Sequence, residues 1–91
     1  MSADQRWRPQ AAFSLALIDA REGRTEAALR EFDRINEGPM LFDARFNAIS
    51  ALIVLGRTAE ARERLASARA EFPKERLRLF LIEAEILIKS R

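Results

Sequence analysis

The feature that most constrains this chain is an internal repeat with a period of 33 residues. Shifting the sequence by that period superposes identical residues at several positions: Phe13 with Phe46, Ala11 with Ala44, Gly23-Arg24-Thr25 with Gly56-Arg57-Thr58, and Ala28 with Ala61. A repeat of this length is one supersecondary unit that must stack on its neighbours to bury an apolar face. The sequence therefore predicts a stacked repeat architecture.

The composition predicts that the repeating unit is helical. Only three glycines and three prolines occur in 91 residues, while alanine, leucine, glutamate and arginine, all good helix formers, are abundant. No segment has the pattern of a strand, and 48% hydrophobic residues suffice for one domain with a modest core. The formal charge of +2 indicates no strongly electrostatic partner.

The side chains that most catalytic and metal sites need are missing from this sequence. It contains no cysteine and no histidine, which excludes disulfides, thiolate nucleophiles and the usual zinc ligands. It also lacks the side chain best suited to proton transfer near neutral pH. We therefore expect no enzymatic activity and no cofactor, and no catalytic, cofactor-binding or metal-binding residue is predicted.

Nothing in the sequence predicts a membrane segment or a secretory leader. No apolar run approaches 18 residues, and the first five residues lack the charged-then-apolar pattern of a signal peptide. We expect a cytoplasmic chain without membrane association.

Turn and cap signals divide the chain into helices. Pro9 suits the first position of a helix, and Gly23 and Gly56 are expected to end helices in the left-handed conformation. Thr25 and Thr58 are expected to cap the helices that follow. The predicted organisation is a flexible tail at 1–8 and a single helical domain at 9–90, made of repeat one at 9–39, repeat two at 40–73 and a C-terminal helix at 74–90.

The residues at matched positions follow one pattern in both copies. In the second copy Leu52 and Leu55 precede Gly56, the small, large and small residues Ala61, Leu65 and Ala68 follow it, and Pro73 closes the unit. The first copy carries Leu15, Ala16, Gly23, Ala28 and Phe32, and a shift of 33 residues places the last three on Gly56, Ala61 and Leu65. This pattern resembles the tetratricopeptide repeat (TPR) family, whose unit is a helix-turn-helix of about 34 residues.

The chain also departs from that family pattern. Ala12 and Arg45 stand where an aromatic residue is common, and Ile49 stands where a small residue is usual. The resemblance implies an all-α, right-handed stack of two antiparallel helical hairpins plus a fifth helix, a divergent TPR-like α-solenoid. It also implies protein binding without catalysis, with the first helix of each pair lining a concave groove.

The predicted groove is apolar. Phe13, Phe46 and Phe80 recur at spacings of 33 and 34 residues, and the full set of expected groove residues is Phe13, Leu17, Phe46, Asn47, Ser50, Val54, Phe80 and Ala84. Because only Asn47 keeps the polar character of a carboxylate-binding groove, we expect an apolar helix or extended segment as the ligand. The alternative is that the phenylalanines wedge between hairpins as core.

The last predicted helix is apolar on almost every side. Its packing on the fourth helix can use one stripe, formed by Leu77, Phe80, Ala84, Leu87 and Ile88. That choice leaves Leu79, Ile82 and Ile86 for self-association, so the sequence predicts a homo-oligomer, most simply a dimer. A different protein partner, or a further helix of a longer solenoid, would cover the same residues.

The function predicted from these features is that of a small adaptor or scaffold that binds other proteins. An alternative is a dedicated chaperone or inhibitor that caps an apolar helix of one specific partner. A weaker alternative is nucleic-acid association through Arg57, Arg62, Arg64 and Arg69. Interleaved acidic residues disfavour it, because such binding needs a sustained basic stripe.

Overall fold

The computed structural model describes residues 9–89, which form a stack of helices. The elements are α1 (Pro9–Arg21), α2 (Thr25–Arg34), α3 (Leu41–Val54), α4 (Thr58–Glu71), a short 3-10 turn (Pro73–Glu75) and α5 (Arg76–Lys89). No strand occurs within this range, so the all-α prediction is confirmed. The tail predicted to be flexible, at 1–8, lies outside the described residues.

Consecutive helices pack against each other along the stack. Helix α2 packs on both α1 and α3, α4 packs on both α3 and α5, and α3 also contacts α5 directly. The result is two hairpins and a fifth helix, with overall dimensions of 50 × 30 × 16 Å. No helix within residues 9–89 is long and apolar enough to cross a membrane.

The repeated Gly-Arg-Thr sequence forms the same turn in both hairpins. Gly23 and Gly56 adopt φ angles of 87° and 78°. The amide of Arg24 donates to the carbonyl of Asp19 at 2.8 Å, and the amide of Arg57 donates to that of Leu52 at 2.9 Å. Together with the shorter-range bonds of the two glycine amides, these form the left-handed Schellman ending of a helix, as predicted.

The predicted capping role of the two threonines is wrong. Helices α2 and α4 begin at Thr25 and Thr58, and Arg24 and Arg57 occupy the N-cap positions without a capping side-chain hydrogen bond. The turn is so short that the residue after each glycine directly precedes the next helix. An arginine there carries only donors and cannot accept from the helix amides. Arg57 instead donates to Glu60 in the first turn of α4 at 2.8 Å.

Small side chains allow close approach at the helix crossings. Ala16, Ala28, Ala44 and Ala61 are fully buried. Around them lie the large core side chains, which include Phe32, Ile35, Ile49 and Leu52. Each hairpin therefore contributes only part of the core, and the stack completes it.

The prediction of which face of the last helix packs internally is wrong. Leu79, Ile82 and Ile86 are each only 1% exposed, because α5 sits against both α3 and α4 and turns these residues into the core. Most of the stripe expected to pack points outward, with Leu77 75% and Phe80 60% exposed. Leu79, Ile82 and Ile86 therefore cannot form the self-association surface predicted for them.

This assignment of the two faces can be tested with a pair of truncations. Ile82→Ala should lower the free energy of unfolding by about 2–5 kcal/mol, because it leaves a cavity in the core. Leu87→Ala, on the outward face, should change it by no more than about 0.5 kcal/mol under dilute conditions. Urea unfolding followed by circular dichroism measures both, and equal losses would contradict the assignment.

The left-handed turn makes a second prediction. Gly56→Ala should destabilise the fold by about 1–2 kcal/mol, because a Cβ is strained at this φ. The surrounding space is open, so the loss comes from the backbone alone. Gly56→Asn serves as the control and should lose less, since asparagine tolerates the left-handed region. Thermal unfolding of the two variants checks the order.

Candidate protein-binding surfaces

Two of the three phenylalanines predicted for the groove pack inward. Phe13 and Phe46 are partly buried and lie against the core. The ring of Phe13 meets that of Phe32 edge-on, with centroids 5.6 Å apart, and the ring of Phe46 lies 5.9 Å from that of Phe42. Phe13 thus meets a ring of its own hairpin, and Phe46 meets a ring of its own helix, whereas the core alternative placed these side chains between hairpins.

The remaining predicted groove residues divide into exposed apolar and partly buried ones. Leu17, Val54 and Phe80 are exposed, and Val54 reaches 69%. Asn47, Ser50 and Ala84 are partly buried. The side-chain nitrogen of Asn47 donates to the carbonyl oxygen of Asp43 at 2.8 Å, so this amide is tied to its own helix. Of the three predicted phenylalanines, Phe80 is therefore exposed, whereas Phe13 and Phe46 are partly buried.

Arg78 joins α5 to α3 and was missed by the sequence analysis. Its guanidinium carbon lies 4.8 Å from the ring centre of Phe42 and 5.1 Å from that of Phe46. The same guanidinium donates to the carboxylate of Asp43 at 3.2 Å. Phe42, Asp43 and Phe46 share one side of α3, but no pattern in the sequence indicates a cation 35 residues away.

The outward side of α5 is a continuous apolar surface. We call it the outer stripe, and its residues are Leu77, Phe80, Leu81, Ala84, Leu87 and Ile88. Spacings of three and four residues place them on one side of the helix, opposite the buried face. Burying a leucine or phenylalanine side chain contributes about 1.5–3 kcal/mol, so this surface favours association.

An open cleft of about 760 Å³ adjoins the outer stripe between α4 and α5. Its lining is mixed, with Leu77, Leu79, Phe80 and Pro73 beside Arg69, Arg76 and Glu83. Arg69 and Glu83 form an ion pair across the two helices.

The repeat register shows which position in the stack the outer stripe occupies. The side of α3 that receives α5 includes Asp43, which pairs with Arg78, and Phe46, which lies beneath it. A shift of 34 residues places these two positions on Leu77 and Phe80. The outer stripe therefore occupies the position at which a first helix contacts the next helix of a stack.

The opposite end of the stack is also partly apolar. Leu15 and Ile18 on α1 are 49% and 50% exposed. Their equivalents 33 residues later, Ala48 and Ala51, are buried in the core. Both end helices thus expose positions that the central helix buries.

Arg57, Arg64 and Arg69, which were predicted as candidates for nucleic-acid binding, each pair with a carboxylate. Arg64 forms a bidentate pair with Asp33, whose longer contact is 2.9 Å. Arg57 pairs with Glu60 at 2.8 Å, and Arg69 pairs with Glu83. These guanidinium groups are neutralised locally, which argues against a phosphate-binding face.

The stacked antiparallel hairpins, with a glycine-ended turn inside each, define the class of the molecule as an α-helical repeat protein. The chain is 35% identical over 77 residues to a TPR repeat-containing protein of Pseudomonas aeruginosa. The alignment covers 85% of this chain, which spans 13% of that relative. No protein-family profile matches the chain, and no solved structure matches it. The prediction that the chain is a divergent tetratricopeptide repeat protein is confirmed.

A carboxyl pair between α1 and α2 makes the stability depend on pH. The buried side chain of Asp19 accepts a hydrogen bond from Nε of Arg24 at 2.8 Å and also meets Glu31. Burial, followed by the charge of Asp19 and a hydrogen bond with it, raises the pKa of Glu31 above its ordinary value of 4.5. The stabilising contribution of protonated Glu31 is therefore full below that value and is lost as the pH rises through the raised pKa.

Glu31→Gln tests this coupling. The stability of the variant relative to the wild type should be greatest above the raised pKa of Glu31, where the wild type loses its protonated carboxyl, and should fall as the pH is lowered through that pKa. Urea midpoints of the two proteins above and below that pKa give the difference. An advantage that does not change with pH would contradict the raised pKa of Glu31.

Proposed function

We propose that this chain is a non-catalytic adaptor or scaffold module that binds a segment of another protein along the face formed by α1, α3 and α5. The ligand is an apolar helix or an extended apolar segment. The tetratricopeptide-repeat relationship supports a binding role, since stacked repeats of this kind offer extended binding surfaces.

The observation that carries the proposal is the exposure of apolar side chains on first helices whose other faces are in the core. Leu17 on α1 and Val54 on α3 project outward, while Ala16 and Leu52 on the same helices are fully buried. A helix that packs fully on its neighbours does not need exposed branched side chains. Their retention favours an external apolar contact.

The register of this face supports a long, narrow ligand. Leu17, Ser50 and Ala84 occupy equivalent positions at spacings of 33 and 34 residues. The side chains of Ser50 and Ala84 are small, so a ligand can approach the helix backbones there. Larger side chains such as Val54 then bracket it, as in helix-in-groove recognition. The outer stripe shares Ala84 with this face.

A peptide selection tests this proposal. A displayed library of random peptides should yield amphipathic or apolar sequences when the full chain is the bait. Binding of a selected peptide, measured by fluorescence anisotropy, should weaken about tenfold or more in Val54→Glu or Leu17→Glu, because each places a charge on the apolar face.

Ser67→Glu provides the matched control, because Ser67 is exposed on α4 and not on the apolar face proposed for α1, α3 and α5. It should leave the affinity unchanged. Circular dichroism should show the same helix content in all three variants. Selection of no peptide, or an equal loss in Ser67→Glu, would refute binding on this face.

A further inference from the structure

We propose that the outer stripe of α5 binds a second copy of this chain. The two α5 helices run antiparallel, and the two-fold axis that relates them crosses the helices at the level of residue 82. This inference goes beyond the proposed function, and its surface overlaps the proposed binding face only at Phe80 and Ala84. It rests on the order of side chains along the stripe and on the charges beside it.

The outer stripe is self-complementary when it is reversed. Leu77 lies five residues before position 82 and Leu87 five residues after it, while Phe80 and Ala84 lie two residues on either side. An antiparallel pair therefore sets Leu77 against Leu87 of the second copy, and the ring of Phe80 against the methyl group of Ala84. Large side chains opposite small ones interdigitate, as in packed cores.

A parallel pair lacks this match. It would set Phe80 against Phe80 and Ala84 against Ala84, which crowds one layer and leaves a void in another. Both crowding and voids destabilise an interface. The antiparallel arrangement is the one that the side-chain sizes favour.

The charges on one edge of the stripe follow the same symmetry. Arg78 lies four residues before position 82 and Glu85 three residues after it. Arg78 of each copy therefore lies close to Glu85 of the other copy. Opposite charges beside an apolar seam set the orientation of paired helices. Arg78 carries five N–H donors, so its bond to Asp43 leaves others for Glu85.

A second copy would also bury the outer stripe of both molecules at once. An isologous contact closes after two chains, and closed two-fold dimers are the commonest soluble oligomers. The five large side chains of the stripe are each more than half exposed in the single chain, so each copy has much to bury.

The first test is the solution mass of the full chain across a dilution series. The wild type should be a dimer at high concentration. Leu87→Glu should raise the dimer dissociation constant about 100-fold or more, because a carboxylate would be buried in the seam. Leu15→Glu changes an equally exposed leucine at the other end of the stack and should leave the mass unchanged.

The second test reports the orientation, since the chain contains no native cysteine. The helical rise puts two copies of position 81 about 3 Å apart along the axis and two copies of position 88 about 18 Å apart. A short bis-maleimide should therefore join two chains of Leu81→Cys but not two chains of Ile88→Cys. A parallel pair would be joined equally well at both positions.

Three outcomes would overturn the proposal. They are a monomer at the highest attainable concentration, a dimer that Leu15→Glu dissociates and Leu87→Glu does not, and equal cross-linking at positions 81 and 88. The peptide assay stays independent of these outcomes, because Val54→Glu lies outside the outer stripe and should leave the mass of the dimer unchanged.

Discussion

The structure depends on one constraint: two helices alone cannot bury the apolar surface that each of them carries. A hairpin covers one side of its first helix, and the next helix in the chain must cover another. Helices α2 and α4 meet this requirement by packing on a helix at each side. The buried alanines let these helices come close, so the core runs along the stack instead of collecting at one centre.

The arginine-rich surface follows from the same arrangement. Arg64 on α4 pairs with Asp33 on α2, and Arg57, the residue before α4, pairs with Glu26 on α2. Arg69 on α4 pairs with Glu83 on α5. Pairs this exposed contribute about 0–1 kcal/mol each. These pairs instead help to orient successive helices, because the long forked arginine side chains reach their carboxylates only when the helices are stacked in the correct register.

The repeat made the hairpins and the glycine turns predictable from the sequence, because local spacing determines both, and the family was predicted from the resemblance of these residues to the tetratricopeptide repeat. The packing of α5 was not predicted, because apolar residues line two opposite sides of this helix and periodicity alone ranks them equally. The register offered the missing signal, since a shift of 34 residues places Ile82 on Ala48 and Ile86 on Leu52, both buried. Arg78 had no such signal, because its contacts with α3 arise only after the stack has formed.

The two proposed surfaces constrain each other at Phe80 and Ala84. Both residues were predicted for the groove, and both belong to the outer stripe, so dimer formation would bury them. Each chain would then keep a shorter groove, formed by α1 and α3 and centred on Leu17 and Val54. The dimer would carry two such grooves, related by the same axis. A ligand with two apolar segments could then bind both, and its affinity would exceed that of either site because the second contact is intramolecular.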